Sequence, residues 1–369
     1  MMSDCTSMMN AVDLRHRIHR NPEPANQETQ TTLLLAEELS KCPAIKIHRP
    51  LTTGLIAEYT VNTGKHLVFR ADIDALPLKE DTDAEFHSEN GYMHACGHDV
   101  HTAVLYGLIQ KIIHEQPDRN LLFFFQPAEE KDGGAEQVLK TGFFDSFSVE
   151  AVFALHVNPS YPLGTIAGIA GTLFANVLEF EASFHGFGAH VAFPHQGKSA
   201  ISALRAFLDG VDRIPRDPTQ PFVCGIGLVQ AGTSHNIIPD KGFVRGTLRS
   251  FSSSMIESVY QQMENLGRSI HTHLGVEVRI VPYSNYPEVT NDSDLFERFK
   301  PILSIQPATP MMGGEDFGYF CRAYPSLMLF LGTQEENKPF YGLHHPRFLP
   351  PDQAIEEGIH AFWRIVNSY

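Results

Sequence analysis

Cysteine is scarce in this chain and scattered: Cys5, Cys42, Cys96, Cys224 and Cys321 make five, with no Cys-x-x-Cys pair. An odd, dispersed set supports no disulfide framework and fits a reducing compartment. Basic residues are also few, 28 Lys and Arg against 43 Asp and Glu, for a formal net charge of −15. That balance argues against nonspecific binding to nucleic acid or to an anionic membrane surface. No apolar run approaches the length of a membrane span. Residues 1–11 show no basic segment leading into an apolar one, so no signal peptide is expected. Internal repeats, low-complexity tracts and marked linkers are absent too. These absences together predict a cytoplasmic protein with neither a nucleic-acid nor a membrane partner.

What is present suits a globular enzyme-sized chain. Its 369 residues exceed what one core usually supports, so two domains are expected. Apolar spacing and the Asn21-Pro22-Glu23-Pro24 breaker predict helices over 12–19 and 29–40. Uninterrupted apolar runs follow at 66–70, 121–125, 151–155 and, much later, 327–331. Runs without alternation suit strands covered on both faces of a parallel or mixed sheet. A helix is expected over about 99–114, and Ile355, Ile359, Phe362 and Val366 mark an amphipathic closing helix.

From about residue 174 the pattern changes. Leu178, Phe180, Ala182 and Phe184 alternate with polar residues, as on a half-exposed strand. A helix over 199–211, strands over 222–228 and 243–248, a helix N-capped at Ser254 and a strand over 276–280 complete a βαββαβ order. That order predicts a ferredoxin-like domain. The expected architecture is α/β: a mixed, mostly parallel sheet covered by helices over residues 1–173 and 287–369, with an inserted ferredoxin-like α+β domain over 174–286.

The densest chemistry lies within 93–103, which holds His94, Cys96, His98, Asp99 and His101. Cys96 and His98 flank Gly97 and would point to nearly opposite sides of a helix. They converge on one metal only in a turn, and glycine gives that turn its freedom. A place just ahead of a helix N-terminus predicts a lowered thiol pKa. Taken alone, the stretch could be a buried cysteine among surface histidines. The other polar groups weigh against that. Asp72, Glu129, Glu130 and His156 each follow a strand's C-terminal end, where open α/β sheets bind ligands. His344 joins them from the loop after the last apolar run.

A thiolate, imidazoles and carboxylates suit zinc or a neighbouring divalent transition metal rather than calcium or magnesium. Cys96, His98, Glu130, His156 and His344 are more ligands than one tetrahedral site uses. The expected cofactor is therefore two divalent ions (Zn, Mn, Co or Ni) sharing the thiolate. Glu129 is then expected as general base, although most Glu-Glu pairs are only solvated turns.

Several runs resemble a known family: Arg70-Ala-Asp-Ile-Asp-Ala-Leu-Pro77, Met93-His-Ala-Cys-Gly-His-Asp-Val-His101, Gln126-Pro-Ala-Glu-Glu130, Leu155-His-Val157, Gly232-Thr-Ser-His-Asn-Ile-Ile-Pro-Asp240 and Gly314-Glu-Asp-Phe-Gly318. They are similar to the amidohydrolase branch of the aminoacylase and carboxypeptidase dinuclear metallohydrolase family. That branch includes hippurate hydrolases, auxin-conjugate hydrolases and N-acetyldiaminopimelate deacetylases. The resemblance begins at His19-Arg-Asn-Pro-Glu23 and spans nearly the whole chain. It implies a phosphorylase/hydrolase-like catalytic domain with two metals and an inserted lid.

By this resemblance Cys96 bridges the metals, with Glu130 and His344 on one and His98 and His156 on the other. Glu129 matches the general base, and Asp72 the carboxylate that orients a metal-binding histidine. Asp74, His94, Asp99 and His101 become supporting groups. Other branches carry a metal-binding histidine where Arg70 stands, which fits His98 taking over that role. The turn Gly186-Phe187-Gly188-Ala189-His190 resembles the family's lid turn, where Phe187 departs from the usual Gly-Lys-Gly. There His190 would stabilise the oxyanion, with a homodimer through the lid left open as the way it reaches a partner's site. Asn236 and Arg249 match positions that hold the substrate carboxylate.

The implied reaction is hydrolysis of the amide in a small-molecule N-acyl amino acid. Leu343-His344-His345-Pro346, followed by Arg347-Phe-Leu-Pro-Pro-Asp-Gln353, is most similar to the N-acetyl-L,L-diaminopimelate deacetylases of lysine and diaminopimelate biosynthesis. The alternatives are a broad amidohydrolase of hippurate hydrolase or aminoacylase type, a dipeptidase, or a catalytically silent metal-binding relative. The intact Glu129-Glu130 pair argues against silence.

Overall fold

The computed structural model describes residues 8–369, so Cys5 and most of the segment read for a signal peptide lie outside the described residues. Two compact units emerge. One comprises the chain up to Leu173 with Val289–Pro310 and Glu315–Tyr369, and the other Phe174–Glu288 with Met311–Gly314. The first unit thus resumes at Val289 rather than 287, and Met311–Gly314, assigned to it from sequence, belongs with the second.

The first unit is built on an eight-stranded sheet in the order Lys46–His48, Leu55–Tyr59, Asn120–Gln126, His66–Asp72, Val149–Pro162, Ser326–Gln334, Ile166–Gly168, Gln306–Pro307. Its four central strands are mutually parallel, and they are the four uninterrupted apolar runs of the sequence. Every residue of His66–Asp72 and Asn120–Gln126 is buried, because helices cover the sheet. The helix His98–Glu115 packs on His66–Asp72 and against Ala11–Arg20 and Gln353–Asn367. Its Leu105, Leu108, Ile109 and Ile112 are fully buried. Burial of such side chains stabilises the fold by about 1.5–3 kcal/mol each.

The short outer strands and the helix Ser293–Leu303, N-capped by Asp292, did not emerge from periodicity. Strands of two or three residues are too brief to carry a pattern. The mixed, mostly parallel α/β sheet matches the sequence expectation.

The second unit has a four-stranded sheet in the order Phe222–Ala231, Lys241–Ser250, Asn176–His185, Glu277–Tyr286, antiparallel throughout. With helices Ala200–Asp212 and Ser253–Leu274 between strands, this is the ferredoxin-like arrangement. The second helix is capped by Ser252, whose hydroxyl accepts from the Met255 N–H, and not by Ser254, which lies inside it. No helix among the described residues is long and apolar enough to cross a membrane.

Candidate metal centre

The sheet brings together what the sequence scatters. Two of the parallel strands end at Asp72 and Gln126, where the chain turns into polar loops. His156 instead lies inside the strand Val149–Pro162, paired with Phe330, and not after its end as the apolar run 151–155 suggested, because the strand continues through polar residues. Gly97 caps the helix His98–Glu115 in the left-handed region at φ +84°. A Cβ on it would lie 2.4 Å from Val157 Cγ2, so the turn between Cys96 and His98 requires glycine sterically as well as conformationally.

Cys96 Sγ lies 3.5 Å from His156 Nε2. Donor atoms of Cys96, His98 and His156 fall within 4.8 Å of one another, and so do those of Cys96, Glu130 and His344. Cys96 is the member common to both groups. His344 holds a left-handed backbone at φ +63°, with its N–H donating to Ala95 O at 2.8 Å, which ties its loop to the cysteine loop. Its Nε2 stands 3.4 Å from Glu130 Oε1.

Hydrogen bonds fix which ring nitrogens face the centre. His98 Nδ1 donates to Asp74 O at 2.9 Å, leaving Nε2 buried without a hydrogen bond. Around that nitrogen stand Asp72 Oδ2 at 3.7 Å, Glu130 Oε1 at 3.9 Å and Glu129 Oε2 at 4.0 Å. His156 Nδ1 donates to Val157 O at 2.8 Å, which likewise turns its Nε2 inward. A metal-binding histidine has its other nitrogen held in this way.

His101 is different. Its Nδ1 meets Asp72 Oδ1 at 2.6 Å and its Nε2 accepts the Val157 N–H at 2.8 Å, so both nitrogens are engaged. It supports the strand bearing His156. The carboxylate bonded to it is Asp72, whereas His98 is held by Asp74. Asp72 was expected to orient a metal-binding histidine; its hydrogen bond goes to His101, which in turn holds the Val157 N–H beside His156, while the backbone carbonyl of Asp74 holds His98.

Asp74 has a second task. Its two oxygens accept the N–H groups of Glu129 and Glu130 at 3.1 and 3.0 Å. Glu28 accepts the Ala128 N–H at 2.8 Å, and Ala128 sits at φ +58°. This backbone strain is over-determined by buried carboxylates, as at functional turns. Arg70, fully buried, bonds Asp72, Gln126 and Asp316 at 2.8 Å each and lies 3.0 Å from Glu315. Asp74 was read from sequence only as a supporting group, and Arg70, Glu315 and Asp316 were given no role in the site. The signal that could have found Arg70 is a charged residue inside an apolar strand, whereas Glu315 and Asp316 lie in a turn ahead of the helix Gly318–Ala323, where no such pattern marks them.

The electrostatics follow from burial and surplus negative charge. Burial pushes the Cys96 thiol well above its usual value, with Glu130 and Glu129 adding to the effect. The lowering expected from the helix N-terminus is overridden, and a cation beside the thiol would favour its ionised form. Burial would lower His98, but Asp72, Asp74 and Glu130 raise it to about 10. The field that holds a proton there equally favours a metal ion. Burial, then Glu315 and Glu130, raise Glu129 well above the carboxylate range. The unbonded His98 Nε2 and this soft-plus-hard donor set fit a divalent transition metal.

The remaining expected site residues lie in the second unit. His190, on the short strand Ala189–His190, pairs with Ile237 and accepts the Ala192 N–H. The Val191 N–H donates to Asn236 O at 3.1 Å, so His190 and Asn236 are neighbours, both exposed. Arg249 stands apart, donating to Met312 O at 2.9 Å. The residue-232–240 loop joins strand ends at Ala231 and Lys241, and Arg249 is at the far end of Lys241–Ser250, about 26 Å away at about 3.3 Å per residue. Within one chain Asn236 and Arg249 do not converge on one carboxylate.

Comparison with known proteins places the fold and sequence in a family. The profile of peptidase family M20/M25/M40 matches residues 68–368. The chain is 34% identical to the N-acetyldiaminopimelate deacetylase of Bacillus subtilis (strain 168), covering 97% of this chain and 98% of that one. It is 35% identical to the Bacillus pumilus protein of the same name, covering 95% of each. Among solved structures, the Bacillus subtilis YXEP protein, a dinuclear metal binding peptidase from the M20 family, superposes with TM-score 0.82 at 30% identity over 96% of each chain. Matched by that profile over most of its length, and by relatives above 30% identity over nearly all of it, the chain belongs to peptidase family M20/M25/M40.

Proposed function

We propose that this protein is a dinuclear metal-dependent deacylase that removes the acetyl group from N-acetyl-L,L-diaminopimelate. The observation that carries the reading is Cys96, common to a Cys96–His98–His156 group and a Cys96–Glu130–His344 group. One ion would be held by Glu130 and His344, the other by His98 and His156, with the thiolate between. Ions bound there supply Lewis acidity, which polarises the scissile carbonyl and acidifies water.

The chain's own residues do the rest. Glu129, buried and with a raised proton affinity, takes the proton of the attacking water and returns it to the leaving amine. Asp74 holds Glu129 and Glu130 in register, and Arg70 balances the carboxylates behind them. His190 stabilises the oxyanion, and Asn236 and Arg249 take the substrate carboxylate. Because Asn236 and Arg249 lie at opposite ends of one strand, a shared carboxylate calls for two copies of the chain, which supports a homodimer through the second unit. The edge strand Phe222–Ala231 leaves Val223, Leu228 and Val229 exposed, an open edge of the kind that pairs.

The acetyl-diaminopimelate assignment rests on relatives of that name matched over nearly the full length. Turnover of N-acetyl-L,L-diaminopimelate measured beside hippurate and N-acetylmethionine tests it. A clear preference for hippurate would overturn the substrate assignment.

A further inference from the structure

The loop carrying His344 also holds a charged pair that the chemistry above leaves unused. Arg347 Nε donates to Asp81 Oδ2 at 2.6 Å, with side chains 52% and 62% exposed. The surrounding geometry is built rather than loose. The Asp81 N–H donates to Pro346 O at 2.8 Å, and the Arg347 N–H donates to His345 Nδ1 at 3.0 Å. The His345 ring stacks on Tyr341 with centroids 4.7 Å apart, and the Phe348 N–H closes a turn on His345 O at 2.9 Å. Arg347 is three residues from His344, hence within about 11 Å of it at about 3.6 Å per residue.

We infer that Asp81 and Arg347 form a subsite for a zwitterionic α-amino-acid head at the far end of the substrate, Arg347 taking its carboxylate and Asp81 its ammonium. The inference rests on the substrate class proposed above and names what would select it. Beyond the scissile amide, an N-acetylated diamino-dicarboxylic acid carries a second α-carbon with one ammonium and one carboxylate. That carbon lies within roughly 9 Å of the acetyl carbonyl, at about 1.5 Å for each of six bonds. An exposed ion pair contributes little to stability, so a ligand can insert between its partners at little cost and replace one pair by two. A guanidinium offers five N–H donors in a planar fork, which leaves Arg347 able to serve a carboxylate while Asp81 turns to the ammonium. An apolar side chain gives the pair nothing to bind.

The test compares kcat/KM of the metal-loaded full chain on N-acetyl-L,L-diaminopimelate and on N-acetyl-L-norleucine, which keeps the aliphatic stem and lacks the head. The wild type is expected to prefer the first, with R347A and D81A each lowering the ratio at least about tenfold. A pair that merely straps the loop would change both substrates together, and a ratio unmoved in both variants overturns the subsite. Absence of any wild-type preference overturns the underlying substrate reading instead.

Discussion

Glu129 and Asp74 divide the work of one turn. Glu129 is buried among Glu130, Glu315 and Asp316 and is the group with proton affinity to spare. Replacing it with Gln keeps the shape and removes the base. Turnover in E129Q is expected to fall by about 10²–10⁴, with metal content unchanged by elemental analysis; surviving activity would refute the role. Asp74 touches no substrate in this scheme but holds both glutamate N–H groups and lies against His98. In D74N one of the two N–H groups loses its acceptor, and metal affinity should weaken about 10–100-fold in competition with a chelator. Full affinity there would mean the turn is held by other contacts.

At the scale of an element, the helix His98–Glu115 is the part on which the centre is hung. Its first residue is a candidate ligand, and its Thr102 hydroxyl donates to Asp72 O at 3.1 Å, which ties it to the end of His66–Asp72. Gly97 sets where that helix begins. In G97A the left-handed backbone costs about 1–2 kcal/mol, and the added methyl collides with Val157 on the strand that carries His156. Lower thermal stability and lost metal should appear together, whereas a variant that melts and binds metal like wild type would show that the turn tolerates a side chain. This dependence was readable early, because Cys-Gly-His cannot direct both ligands inward on a helix. The partners of the helix were not, since nothing in the sequence spacing says that Asp74, from another strand's end, holds His98.

For the whole molecule, two couplings can be tested. His19, on the helix Ala11–Arg20, lies between Asp99 at 2.9 Å and Glu80 at 3.1 Å, joining three distant segments. Burial lowers its proton affinity, but Asp99 and Glu80 outweigh that and raise the pKa to about 9. A value raised above the unfolded 6.5 means the stabilisation is complete below about pH 6.5 and is lost as pH rises through about 9. Its size is on the order of 3 kcal/mol. Urea midpoints of wild type should decline across that window more steeply than those of H19N, and equal slopes would exclude the contribution. The second coupling is between copies. If His190 and Asn236 serve a partner's centre, mixing inactive H190A and R249A chains should restore up to about a quarter of wild-type activity through heterodimers. No recovery after subunit exchange would place all of these groups in one chain.

The uninterrupted apolar runs were enough to determine the parallel sheet, because strands buried on both faces have no polar alternative. The dense stretch 93–103 was enough to nominate Cys96 and His98. The apolar runs before Glu129, Glu130 and His156 nominated those three, since a parallel sheet gathers one end of its strands whatever lies between them, although His156 sits inside its strand. His344 was weaker in sequence, and only the bond from its N–H to Ala95 O explains why that loop arrives beside Cys96. Tertiary structure alone decided the supporting roles. It engaged both nitrogens of His101, held His98 on the Asp74 carbonyl, and set Arg70 among three carboxylates. It also reversed the expected sign at Cys96, because burial and neighbouring charge depend on what folds against a residue, which linear spacing does not contain.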